Sequence, residues 1–140
     1  AEGGYKLLGE RLTLDDIEVP LCAVACETDH IAPWKDCYRG VQQMGSKDKT
    51  FIMAQSGHIA GIVNPPNRKK YGHYVNGDLT QDYAAWREAA AFHEGSWWPR
   101  WGKWLTKRAG AMIPARFPGD DGREILADAP GSYVTRKAND

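Results

Sequence analysis

Apolar residues in this chain fall into short runs and spaced stripes rather than one continuous block. Two runs stand out, Val19 to Cys26 (Val-Pro-Leu-Cys-Ala-Val-Ala-Cys) and Thr50 to Ala54 (Thr-Phe-Ile-Met-Ala). Each is short and bounded by polar residues, the pattern of a strand covered on both faces. Between them Pro33 suits a first helical position, and Trp34, Cys37, Tyr38, Val41 and Met44 recur at steps of three and four until Gly45. That spacing predicts one amphipathic crossover helix. A strand, helix, strand succession makes parallel neighbours whose carboxyl ends share one edge of a sheet, where open α/β sheets keep their chemistry.

The flanking stretches are less regular. Residues 1–18, with Gly3-Gly4 loose and Leu7, Leu8, Leu12 and Leu14 unevenly spaced, predict a connector into the first strand. Asn64 to Gly77 contains Pro65, Pro66, Arg68, Lys69 and Lys70, then Tyr71, His73, Tyr74 and Val75, and predicts a loop with a short extended piece. Thr80 predicts the N-cap of a second helix running through Tyr83, Trp86 and Ala90 to about Glu94 and ended by Gly95. Ser96 opens a third, with Pro99 in its first turn and Trp97, Trp101, Trp104, Leu105 and Arg108 on one side. From Pro114 onward Pro, Gly and Asp are frequent, so residues 1–113 predict the folded α/β part and 114–140 an extended tail that packs back only partly.

Composition narrows the function. Lys plus Arg equals Asp plus Glu at 18 each, so no overall field draws in nucleic acid or an anionic membrane. No apolar stretch reaches the roughly 20 residues of a membrane span. Three cysteines without metal-site spacing fit reduced thiols in a cytoplasm better than a disulfide framework. No metal ligand set is expected. The chain begins at Ala1, which suggests a part of a larger enzyme.

The chemistry lies just after the two predicted strands, in Thr28-Asp29-His30-Ile31-Ala32-Pro33-Trp34 and Ser56-Gly57-His58-Ile59-Ala60-Gly61. His58 is a candidate proton carrier, because imidazole titrates near ~6.5. Gly57 and Gly61 allow the close backbone approach of a crowded site. Asp29 would accept the other ring proton and fix the tautomer; an Asp here is also a natural helix cap or turn residue. Together they are two thirds of a catalytic triad, expected to point into one crevice. The hydrolase order of nucleophile, Asp, His requires an upstream Gly-x-nucleophile-x-Gly elbow, and none occurs; Cys22 and Cys26 lie in a predicted strand and Cys37 in the predicted helix.

Three motifs carry a family likeness: Asp29-His30-Ile31-Ala32-Pro33-Trp34, the longer Ser56-Gly57-His58-Ile59-Ala60-Gly61-Ile62-Val63-Asn64-Pro65-Pro66, and Gly95-Ser96-Trp97-Trp98-Pro99 with Trp101 and Trp104. Pro130-Gly131-Ser132-Tyr133-Val134 is a weaker echo. On these residues the chain resembles the carboxyl-terminal third or so of a class I polyhydroxyalkanoate synthase. The likeness implies the carboxyl-terminal portion of an α/β-hydrolase-like fold, with the last parallel strands plus helices. It implies an acyltransferase that polymerises 3-hydroxyacyl-coenzyme A into polyester, with coenzyme A a leaving group and no separate cofactor. It also implies a Cys nucleophile supplied from outside these residues, so the isolated chain is expected to be inert. Partners would be the acyl-coenzyme A, the growing polyester, the surface of cytoplasmic granules and a second copy of the protein.

Other residues admit more than one reading. His30 either contacts substrate or steadies Asp29. Arg68, with Lys69 and Lys70, could meet the coenzyme A phosphates, although exposed basic triplets are commonly just solvated; Asn64 is a candidate for the same mouth. The Trp97, Trp98, Trp101 and Trp104 stripe reads mainly as core, with a granule-facing surface, helped by the basic Arg100, Lys103, Lys107 and Arg108, as the alternative. Rival functions are an esterase, thioesterase or polyester depolymerase of the same fold, and a non-catalytic granule-binding module. The first strand is expected to carry an unpaired edge that promotes self-association.

Overall fold

The computed structural model describes residues 5–138; Gly3 and Gly4 lie outside them. The chain divides into two compact units, Ala1–Ala109 and Gly110–Asp140. In the first, the elements are β1 (Lys6–Leu7), β2 (Glu10–Arg11), β3 (Leu21–Cys26), α1 (Trp34–Gln43), β4 (Lys49–Ala54), β5 (His73–Val75), α2 (Tyr83–Ala89), β6 (Ala91–His93) and α3 (Trp98–Thr106). Described residues of the second unit form turns and one 3-10 helix, Tyr133–Thr135.

The principal sheet has the order β3-β4-β5-β6. β3 and β4 are parallel, with Leu21 opposite Lys49 and Cys26 opposite Ala54, as a crossover through α1 demands. The rest of the sheet departs from the parallel arrangement expected of the last strands: β4–β5 and β5–β6 are antiparallel. The sheet is therefore mixed, an α/β unit with a parallel half and an antiparallel half. β3 pairs with β4 alone among the described strands.

One face of this sheet packs against α1 and α2. Tyr38 and Val41 from α1, Trp86 from α2, and Ala25, Phe51 and Met53 from the strands form a single buried cluster. Their rings meet at 5.1 Å for Phe51–Trp86, 5.4 Å for Tyr38–Trp86 and 5.3 Å for Tyr38–Phe51, distances suited to edge-on aromatic packing. The polar tips are satisfied: Tyr38 Oη donates to the Gln81 carbonyl at 2.9 Å and Trp86 Nε1 to that of Asn76 at 3.1 Å. The opposite face buries Cys26, Ile52 and Ala54 under Trp97, flanked by Cys22, Val24 and Val75. Strand residues alternate between the two clusters, the two-residue period at work.

Three local expectations change. The lead-in is not a plain connector: β1 and β2 form a hairpin whose turn residues Leu8 and Gly9 both have positive φ, the geometry that matches the twist of a two-residue hairpin. Gly45 does end α1, and a side chain there would collide with the Asp15 carbonyl oxygen. The second helix starts later and stops sooner than its spacing predicts. The Thr80 hydroxyl is bound to Asp78 at 2.6 Å, so Asp82 caps instead, accepting from Ala84 N and Ala85 N at 2.8 and 3.1 Å. Beyond Ala90 the chain turns extended, because β5 offers a free edge and Phe92 and His93 stack on Tyr74 and His73 across it.

Trp86 joins both helices to the sheet. Replacing it with Ala should cost about 3–5 kcal/mol, read as a lowered midpoint in chemical denaturation.

Candidate active site

Pairing continues past the ends of β3 and β4. Glu27 N donates to the Ala54 carbonyl at 2.8 Å and Thr28 N to the Ser56 carbonyl at 3.1 Å. The two loops that follow are thus stitched side by side. Ser56 turns the chain with φ of 73°, after which Gly57 and His58 lie next to Thr28 and Asp29.

Asp29 Oδ2 and His58 Nδ1 are 2.8 Å apart. The carboxylate can only accept, so Nδ1 carries the proton and Nε2 is left as the basic nitrogen. The other carboxylate oxygen, Oδ1, accepts from Ile31 N at 2.9 Å and Ala32 N at 3.0 Å. Asp29 therefore performs both functions its sequence position allows, ordering the turn into α1 and holding the imidazole. The Asp29 side chain is 7% exposed and that of His58 49%, so the carboxylate is shielded while the ring remains reachable. The Ala32 amide first, then the His58 ring and the Ile31 amide, hold the Asp29 carboxyl down at about 2 against partial desolvation.

The three thiols are poor nucleophiles. Burial, then the nearby Asp29 and Cys37, push Cys26 up to about 11. Burial also raises Cys22 and Cys37, the opposite of what an attacking thiolate needs. Among the described residues no three His, Cys, Asp or Glu side chains converge as a metal would require.

Other candidates are distributed differently. His30 is exposed, and Asp29 is steadied by backbone amides rather than by its ring. Asn64 does not lie at an open mouth; it is buried at 3% exposure, and its amide donates to the Tyr71 carbonyl at 3.2 Å. Arg68 ends a short 3-10 helix, Pro66–Arg68, and is exposed with Lys69 and Lys70. A groove of about 540 Å³ lined by Gln42, Ser46, Lys49, Asp78, Leu79 and Thr80 lies at the opposite end of β4 and includes neither Asp29 nor His58.

The Trp stripe divides. Trp97 is buried at 8% exposure, whereas Trp98 and Trp101 are 36% and 41% exposed, so α3 is not a core helix. What sequence reasoning missed is that two indoles grip the His58 loop: Trp97 Nε1 donates to the Gly61 carbonyl and Trp98 Nε1 to that of Ile62, both at 2.9 Å. The partners are 36 residues apart, and no local pattern announces such a contact.

The fold and site define an α/β unit with a carboxylate–imidazole pair at the carboxyl edge of two parallel strands. No protein-family model matches the chain. By sequence it is related to poly(3-hydroxyalkanoate) polymerases and matches their carboxyl-terminal part. It is 40% identical over 129 residues to the poly(3-hydroxyalkanoate) polymerase subunit PhaC of Rhizobium etli, 92% of this chain and 20% of that protein. Identity to the Methylorubrum extorquens polymerase is 43% over 139 residues, 99% of this chain and 23% of that protein. For the Cupriavidus necator PhaC subunit it is 37% over 138 residues, covering 97% and 23% respectively. The chain thus spans about a fifth of the length of these relatives.

Depression of the Asp29 carboxyl fixes a sign. A carboxylate held from its ordinary 3.8 down to about 2 stabilises the fold above about 3.8, a contribution lost as pH falls through about 2. Carboxyl-carbon NMR should place the Asp29 midpoint near about 2. His58→Ala should raise that midpoint without restoring it fully, since the Ala32 and Ile31 amides remain.

Proposed function

We propose that this chain is the Asp- and His-bearing part of a polyhydroxyalkanoate synthase, an acyltransferase that joins 3-hydroxyacyl units from coenzyme A thioesters into polyester. The 2.8 Å contact between Asp29 Oδ2 and His58 Nδ1 is the observation that carries this reading, joined to the relatives' name. The β3–α1–β4 unit, with both groups at strand carboxyl ends, supports an α/β-hydrolase-like arrangement in the whole enzyme.

In this reading His58 Nε2 takes the proton from a Cys thiol supplied by sequence outside these residues, since a free thiol near ~8.5 is only a few per cent thiolate at neutral pH. The sulfur attacks the thioester carbonyl, the bond to coenzyme A breaks, and the proton on His58 passes to the departing thiolate. His58 then accepts the proton of a 3-hydroxyl group, whose oxygen attacks an acyl thioester; the carbon–sulfur bond breaks, the released thiolate takes the proton back from His58, and the chain is extended. Asp29 stabilises the imidazolium in both steps. The 3-hydroxyacyl-coenzyme A, the growing polyester and the granule surface are the partners, and coenzyme A leaves as product.

The test is a chimera in which this chain replaces the matched segment of the Methylorubrum extorquens polymerase. The chimera should release coenzyme A from 3-hydroxybutyryl-coenzyme A, and His58→Ala within it should slow release by about 10²–10⁴-fold. Unchanged release in the His58→Ala chimera would remove the assignment. Hydrolysis to free 3-hydroxy acid without polymer would favour a thioesterase.

A further inference from the structure

His58 sits in a loop too short to hold itself. Residues 57–63 make a single helix-like turn, closed by Gly61 N to the Gly57 carbonyl at 2.9 Å and Val63 N to the Ile59 carbonyl at 2.8 Å. One turn fixes several dihedrals for very few hydrogen bonds and is unstable alone. Its last carbonyls are short of backbone partners, as at any helix end: that of Gly61 accepts from no backbone amide within the turn, and that of Ile62 accepts only from Asn64 N at 3.0 Å, just beyond it. Those are the two carbonyls that receive the Trp97 and Trp98 indole protons.

The grip has a firm base on both sides. Gly61 is pressed so closely onto β3 that a Cβ would come within 2.5 Å of Cys26 Sγ and 2.8 Å of the Gln55 carbonyl oxygen. Trp97 is part of the buried cluster on that same face. The first turn of α3 is tied to the antiparallel half of the sheet by Arg100, which donates through Nε to His73 Nε2 at 3.4 Å and through a terminal nitrogen to His93 Nε2 at 3.3 Å. His73 in turn donates from Nδ1 to the Gly95 carbonyl at 3.0 Å. Burial, opposed by that carbonyl, pushes the His73 imidazole below its ordinary value, which leaves Nε2 free to accept. At its far end α3 is anchored again by the ion pair of Arg108 with Asp48, just before β4.

We infer that Trp97 and Trp98 are positioning residues for His58, capping the carbonyls of its loop and so holding the imidazole against Asp29. The indole N–H groups do this, not the hydrophobic area of the rings. Trp97 acts where water is excluded and Trp98 at a solvent-exposed site, so the Trp97 bond is the stronger of the two. The inference rests on the acyl-transfer reading only for the purpose of the ring, not for its placement.

Trp→Phe removes the N–H and keeps an aromatic ring. Trp104 supplies a matched control, because its buried Nε1 has no hydrogen-bond partner and Trp104→Phe deletes no such bond. The readout is NMR of the 140-residue chain: the low-field proton of His58 Nδ1–H bound to Asp29, and the ring-nitrogen shifts that report its tautomer. Trp97→Phe should abolish the low-field line and move the ring toward the Nε2–H tautomer, Trp98→Phe should weaken the line, and Trp104→Phe should leave it intact. A full-strength line in both Trp97→Phe and Trp98→Phe, or equal loss in Trp104→Phe, would overturn the inference. Should Trp97→Phe lose its amide dispersion, Trp98→Phe decides on the same criterion. These lines report geometry and not turnover, so failure here leaves the polymerase reading standing, and an inactive chimera leaves this one standing.

Discussion

Parallel pairing of β3 with β4 is the constraint on which the site depends. In a parallel pair both carboxyl ends emerge at one edge, and the register that sets Cys26 opposite Ala54 sets the loops after them side by side. Two further backbone bonds, from Glu27 N and Thr28 N, carry the pairing beyond the strands. A shift of one residue would reverse which side chains enter the aromatic core and would separate Asp29 from His58. Phe51 and Met53 on one face, Ile52 and Ala54 on the other, make such a shift costly.

On that edge, chemistry is assembled from ordinary folding devices. Asp29 holds two backbone amides with one oxygen and an imidazole with the other, so the turn that begins α1 also orients the ring. The same amides favour the ionised carboxylate, which keeps it available as an acceptor. His58 stands on a single turn propped by Gly61 against β3 and by two indoles at the start of α3, Trp97 at its N-cap and Trp98 in its first turn. The antiparallel half of the sheet contributes by seating α3 through His73, His93 and Arg100.

Relatedness to poly(3-hydroxyalkanoate) polymerases covers nearly all of this chain and about a fifth of theirs. Within this chain, burial raises all three thiols, and Leu21 to Val24 of β3 remain only partly buried.

Sequence by itself determined β3, α1 and β4, because a buried strand and an amphipathic helix are written in local periodicity and closed by local signals such as Pro33 and Gly45. It also located Asp29 and His58, since both follow strand ends directly and the surrounding motifs are distinctive. Tertiary structure alone decided the rest. Ala91 to His93 joins a sheet rather than a helix because β5 presents an open edge, which no helical spacing can register. Asn64 is a buried tie and Trp97 and Trp98 are caps because their partners lie far away in sequence, and such contacts depend on distance in space, which a one-dimensional pattern does not contain.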